Sequence, residues 1–495
     1  MAVYGADTWA IGSLQPPFKK RSRAHSPSRV PAAEEEGQMR KPLTAGMAAA
    51  IVGLALTAPA AAGKERLLTL YSPKIDSLPY VHDTHHVALS ADGSAAPAKP
   101  GYILGFKEMA LVDSKDANAK PLPIAKMMVH HFLYFAPGRV DQGAGSCWQG
   151  AGFIGGRGEE HPLGRTQVTL PRSARKVYGI DNREADGSAP DWRLTAMVMN
   201  HYKRPKSFYV RTRVWYTTEK RTSVMPVVIG DCAHLANGMS YDVPGGGRKG
   251  SNFVQSSDWT APFNGRMLVA SSHQHGGGKY QTLDSRTCKR RLFKAPVYHA
   301  PPDHPYNTIR PILHEPGPIG TGAYATGKGI PIAEGEVLQR TAVHDNHNLH
   351  VASMGFWATW FVEDDSVRRC GRMPDDIVEI NRPRRFDRTP NHDLVVPQLS
   401  KPRGAFVPFD GNPLQIGDDF FQPGRITATA GERVTWRFGG NRPHSVTVAN
   451  GPRGFSSIYW GRTRGTYSVT PSVKGTYRLV CLVHPTTMAQ TLEVK

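Results

Sequence analysis

Cys481-Leu-Val-His484-Pro-Thr-Thr-Met488 places a thiol, an imidazole and a thioether in one short run, and His444 stands alone upstream in Asn-Arg-Pro-His-Ser. Two His and one Cys in a plane, with a weak axial Met, hold copper for single-electron transfer. Soft sulfur favours Cu(I), and imidazole accommodates Cu(II). The competing reading is a buried free Cys beside unrelated histidines, but four residues of the right kinds coincide. The candidate ligands are His444, Cys481, His484 and Met488.

Histidine is abundant, with 20 among 495 residues, and two further groups have ligand spacing. His130 and His131 form a pair inside the apolar run Met127–Phe135, and His201 ends another apolar run before Tyr202. Neighbours on a strand point to opposite faces, so this pair can share one ion only where the strand twists or bulges, with His201 as third ligand. His273 and His275, at i and i+2, lie on one strand face and chelate readily, and the glycines after them let the chain turn close to an ion. Met354 offers a thioether to that pair, and His344, His347 and His350 compete to replace or supplement it. His82, His85 and His86 lie in a polar stretch and read as surface or N-terminal packing. The stretch 322–329 mimics a phosphate loop but lacks the hydroxyl that ligates magnesium, so it reads as a flexible turn.

The elements that must position these donors are strands. Fifty Gly and 40 Pro suit many short strands joined by tight turns. Apolar runs such as 101–106, 126–135, 194–202 and 208–217 alternate with Gly/Pro/Asp turns, and no helical period is sustained. The expected fold class is all-β.

The region 406–495 resembles the cupredoxins, particularly plastocyanin and amicyanin, in its Gly475-Thr-Tyr lead-in, its loop ligands and its isolated upstream His. The resemblance implies a Greek-key β-sandwich holding type 1 copper with His444, Cys481, His484 and Met488.

Residues 70–375 resemble the copper type II, ascorbate-dependent monooxygenases, represented by the peptidylglycine hydroxylase core and dopamine hydroxylase. The motifs are VHHFLYF, VMNHY, SHQHGGG and SMGFWATWFV, in the same order along the chain. The resemblance implies one copper on His130, His131 and His201 and a second, dioxygen-activating copper on His273, His275 and Met354. It also implies two jelly-roll-like domains facing each other across a wet cleft, with one copper on each. Peptide-amidating members anchor a substrate carboxylate with an Arg, an Asn and a Tyr. Those places here hold Ser271, Phe356 and Ala358, which argues against a peptidylglycine substrate.

With Cys481 assigned to copper, Cys147, Cys232, Cys288 and Cys370 allow three pairings. Cys147–Cys232 and Cys288–Cys370 are favoured, because each then brackets one domain's ligands. Arg40 and Lys41 precede a short apolar stretch and Ala60-Ala61-Ala62, the pattern of a secretory signal cut after about Ala62. The expected organisation is a disordered leader or misassigned start (1–38), a signal peptide (39–62), a first sandwich (63–235) and a second (236–380). A linker (381–405) and a cupredoxin domain (406–495) complete it. The formal charge of +20 falls to +17 once 1–62 is removed and is spread thinly, without a nucleic-acid motif. These features together describe a secreted multicopper redox protein without nucleic-acid partners or stable membrane insertion after processing. Its blue-copper domain would feed a C–H-hydroxylating region, served by a redox partner or small-molecule reductant. The alternative is an electron-transfer or copper-handling protein whose N-terminal sandwiches bind copper or a partner without catalysis.

Overall fold

Strands with two buried faces read as continuous apolar runs, whereas strands with one wet face alternate. Both kinds occur. Asn252–Thr260 alternates exposed and part-buried positions, whereas Met127–Phe135 and Gly355–Glu363 are buried almost throughout. The computed structural model describes residues 65–141, 143–160, 169–233, 239–380, 382–389, 399–457 and 461–495. The leader and signal segments lie outside the described residues.

The molecule is all-β. In the first sandwich, one sheet runs in the order Arg66–Tyr71, Lys206–Thr217, Gly101–Val112, Tyr178–Asn182, Thr222–Ser223. The facing sheet runs Val81–Leu89, Trp192–Asn200, Met127–Phe135, Phe153–Gly158. The second sandwich opposes Met225–Ile229, Gly355–Glu363, Gly265–Gln274, Ala323–Ile332, Val378–Ile380 to a sheet built on Asn252–Thr260, Val337–Asp345 and Gly278–Ser285. The third closes around Trp436, whose indole N–H donates to Gln490 at 2.7 Å.

Gly355–Glu363 shows how the first two sandwiches join. Trp357 and Phe361 enter the second sandwich's own core, while Trp360 and Val362 on the other face join the core of the first. Along that face the described residues of the two sandwiches share one apolar core, whereas the monooxygenase resemblance implies domains facing each other across a wet cleft. Strand Met225–Ile229 falls before the expected boundary at 235 but pairs with Gly355–Glu363 of the second sandwich. Disulfides join Cys147 to Cys232 and Cys288 to Cys370, the favoured pairing. Cys232 follows that exchanged strand, so the first disulfide ties the first sandwich to the second. The segment 299–319 leaves the second sandwich and lays Tyr306, Ile309 and Leu313 on Met128 and Met199 of the first. Among the described residues no helix is long and apolar enough to cross a membrane.

Candidate metal centres

Two β-bulges aim the upstream histidines. Met127 and Val129 face the first sandwich's core, and so do Phe132 and Tyr134, so the inward parity changes from odd to even. The ladder slips between Val129 and His131, which makes His130 the extra residue. Because of the slip, His130 and His131 both look outward, on the side that Met128 and Phe135 also occupy. Gly265–Gln274 carries the complementary slip between Met267 and Val269. Met267 and Ala270 face the second core, whereas Leu268 and Val269 face the first. The flip turns His273, and His275 beyond it, toward the first sandwich. An unbroken strand would have turned them into their own core.

The two histidine pairs therefore meet. His131 Nε2 lies 3.0 Å from His273 Nε2 and 3.3 Å from His275 Nε2, and its Nδ1 lies 3.0 Å from His130 Nδ1. His273 Nδ1–H donates to Glu160 Oε1 at 2.9 Å, and His275 Nδ1–H donates to the Ala352 carbonyl at 2.9 Å. Those bonds fix the tautomers and leave an Nε2 lone pair on each ring facing His131. One proton on His131 Nε2 can satisfy only one of them. Two nitrogens on one tetrahedral ion lie about 3.3 Å apart, which the observed separations match. Burial and neighbouring imidazoles hold His130 and His275 well below the usual histidine range, and His131 down to about 3. All three are neutral at pH 7, the form that ligates metal.

Among the described residues, three donor groups have ligand atoms within 4.8 Å of one another: His130/His131/His275, His444/Cys481/His484 and His130/Glu159/His314. His201 is buried at the end of its strand, its amide bonded to the Lys126 carbonyl, and its ring lies near the Met199 and Pro311 carbonyls. Met354 sits one step past the Gln274–Gly355 pair, opposite His275 in register, packed with Cys147, Val228, Met239 and Phe356. His344 lies edge-on to Tyr241, His347 bonds the Gly247 carbonyl, and His350 pairs with Glu315 at 2.7 Å. His82, which the sequence assigned to surface packing, is buried with its ring 5.1 Å from that of His130. Glu159, Glu160 and His314 had no motif to mark them. The sequence signals were slight: a Glu159-Glu160 pair before His-Pro, and His314-Glu315 set among prolines at 311–318.

The C-terminal donors converge independently. Cys481 Sγ lies 3.9 Å from His444 Nδ1 and 3.8 Å from His484 Nδ1. Two donors about 2.0–2.3 Å from one ion and about 120° apart are about 3.8 Å from each other, so the residues present fit a trigonal copper. His444 Nε2–H donates to Asp418 at 3.2 Å, leaving Nδ1 free to ligate. The Met488 and Cys481 backbones bond to each other, folding the loop so that buried Met488 returns beside the cysteine. Ser445 N–H donates to Cys481 Sγ at 3.3 Å. Burial pushes the Cys481 thiol up, and it lowers His484 to about 4.

The third sandwich is docked on the other two. Asp242 accepts from Ala352 N at 2.9 Å and from Ser456 N at 2.8 Å, and Arg453 donates to the Gly245 carbonyl at 2.7 Å. Leu482, next to Cys481, shares one apolar cluster with Ala352 and Met197. Met197 pairs in register with His131, and Ala352 carries the carbonyl that holds His275.

No family model and no curated protein matches the chain. Among solved structures, an oxidized amicyanin mutant is 23% identical over 17% of this chain and 84% of its own, with a TM-score of 0.15. Auracyanin A, a blue copper protein from Chloroflexus aurantiacus, is 21% identical over 18% of this chain and 100% of its own, also at 0.15. PNGase F is 10% identical over 63% of this chain and 99% of its own, at 0.25.

Proposed function

We propose that the chain is an extracytoplasmic copper redox protein, in which His444, Cys481, His484 and Met488 exchange single electrons with an upstream histidine-held copper centre. The observation that carries this reading is the short connection between the two centres. Leu482, bonded to Cys481, packs with Ala352 and Met197, and Ala352 is hydrogen-bonded to His275. Bound copper supplies one-electron exchange at the C-terminal site and dioxygen chemistry upstream. The chain's part is to hold its imidazoles neutral, exclude water and keep the two centres in fixed register. The upstream ligands are drawn from His130, His131, His201, His273, His275 and Met354. The two disulfides suit an oxidising compartment.

Hydroxylating a C–H bond with dioxygen gives an alcohol and water and consumes two electrons and two protons beyond the substrate. An external one-electron reductant, a redox protein or an enediol of the ascorbate class, supplies them one at a time through the Cys481 site. Substrate-dependent oxygen uptake by the copper-loaded protein tests this directly. Wild type should consume oxygen and His275→Ala should not, and equal uptake would sink the proposal.

A second reading has its own support. His130, His131, His273 and His275 are each at most 4% exposed, which suits electron storage or copper handling without an organic substrate. Copper-dependent electron transfer with no oxygen uptake across a broad set of C–H substrates would select it.

A further inference from the structure

The segment 299–319 that crosses to the first sandwich carries His314 to a position that no local pattern marks. The His314 ring lies 4.9 Å from that of His130 and 5.6 Å from that of His82. Its metal-ligating atom, one on His130 and one on Glu159 lie within 4.8 Å of one another. All three side chains are buried. Tyr306 O–H donates to the Glu159 carbonyl at 2.8 Å and fixes that residue's backbone. Gly317 passes directly over the carboxylate: a Cβ there would sit 1.8 Å from Glu159 Oε1, so any side chain would push the Glu159 carboxylate out of this place.

Charge points the same way. Among the described residues, Glu159 and Glu160 are adjacent and buried; Arg157 and His273 face Glu160, and Glu159 accepts from the Gly317 backbone. Glu315, next along the crossing segment, is already paired with His350. A buried carboxylate is costly unless a cation or strong hydrogen bonds compensate it. Two imidazoles and one carboxylate are a donor set for divalent first-row ions.

We infer that His130, Glu159 and His314, with His82 at the edge, form a further site for a divalent transition-metal ion, beside the His131/His273/His275 group. The inference extends the copper reading above by adding an ion whose ligands include a carboxylate, with His130 shared at the boundary between the two groups.

The test uses the full processed chain loaded with Cu(II) or Zn(II), desalted, and counted by mass spectrometry of the metal. His314→Ala and Glu159→Gln should each hold one ion fewer than wild type, with the visible thiolate band of the Cys481 site unchanged. Wild-type counts in both variants would overturn the inference. Wild-type crystals soaked in Zn(II) give a result independent of variant folding. Anomalous density between His130, Glu159 and His314 supports the site, and its absence there overturns it. Metal at His131 and His275 without metal at Glu159 would defeat this inference alone. Metal at Glu159 without a thiolate band would defeat the electron-relay reading instead.

Discussion

The Cys481 sulfur is buried among imidazoles that are neutral at physiological pH, so on the proposed reading its proton is the one that copper would displace. Burial raises the thiol, while His484 titrates near 4 and His444 is also lowered. Above about pH 6.5 both imidazoles are neutral and the thiol alone carries the competing proton, so each unit should raise apparent Cu(II) affinity about tenfold. Chelator competition across that range measures the slope, and a flat profile would mean that sulfur is not a ligand. His350 behaves oppositely. Burial alone would lower it, but the Glu315 and Asp345 carboxylates hold it up to about 9 against a usual 6.5. A raised folded-state value means the pair's stabilisation is complete below about pH 6.5 and is lost as pH rises through about 9. Thermal unfolding of wild type should therefore weaken across that window, and His350→Gln should flatten the dependence.

At the scale of elements, two bulges decide which way four histidines point, and one glycine allows the turn after them. Gly277 has φ +72°, and a Cβ there would lie 2.4 Å from the His350 ring. Gly277→Ala combines left-handed strain with that clash and should cost about 1–3 kcal/mol, read as a lower unfolding temperature and displaced metal ligands upstream. The need for a bulge at His130 was legible in the sequence, because adjacent histidines cannot otherwise share a face. The bulge at Leu268 was not. His273 and His275 share a face with or without it, and only the ladder with Gly355–Glu363 shows toward which core that face turns.

At the scale of the whole molecule, the 381–405 stretch had suggested a carrier tethered by a linker, but the third sandwich is fixed by hydrogen bonds. Asp242 receives amides from both Ala352 and Ser456. Asp242→Ala leaves those amides without acceptors, at about 1–3 kcal/mol each. The variant should keep the thiolate band while electron transfer from it to the upstream centre slows. Flash reduction of the Cys481 site followed by its reoxidation measures this. An unchanged rate would remove the Leu482–Ala352 connection from the proposed route.

The C-terminal donors were evident in the sequence because three of the four lie in one loop, where covalent spacing limits their separation, and the thiol is chemically distinctive. The strands were evident because apolar runs and turn residues act locally. The composition of the upstream cluster was settled only by tertiary structure. His82, Glu159 and His314 come from three distant segments, and no local pattern marks a histidine that a crossing segment will bury against another sandwich. Likewise, the sequence specified the His130–His131 and His273–His275 pairs, but bringing the two within 3.0 Å required strand slips and packing between sandwiches, which depend on partners remote along the chain.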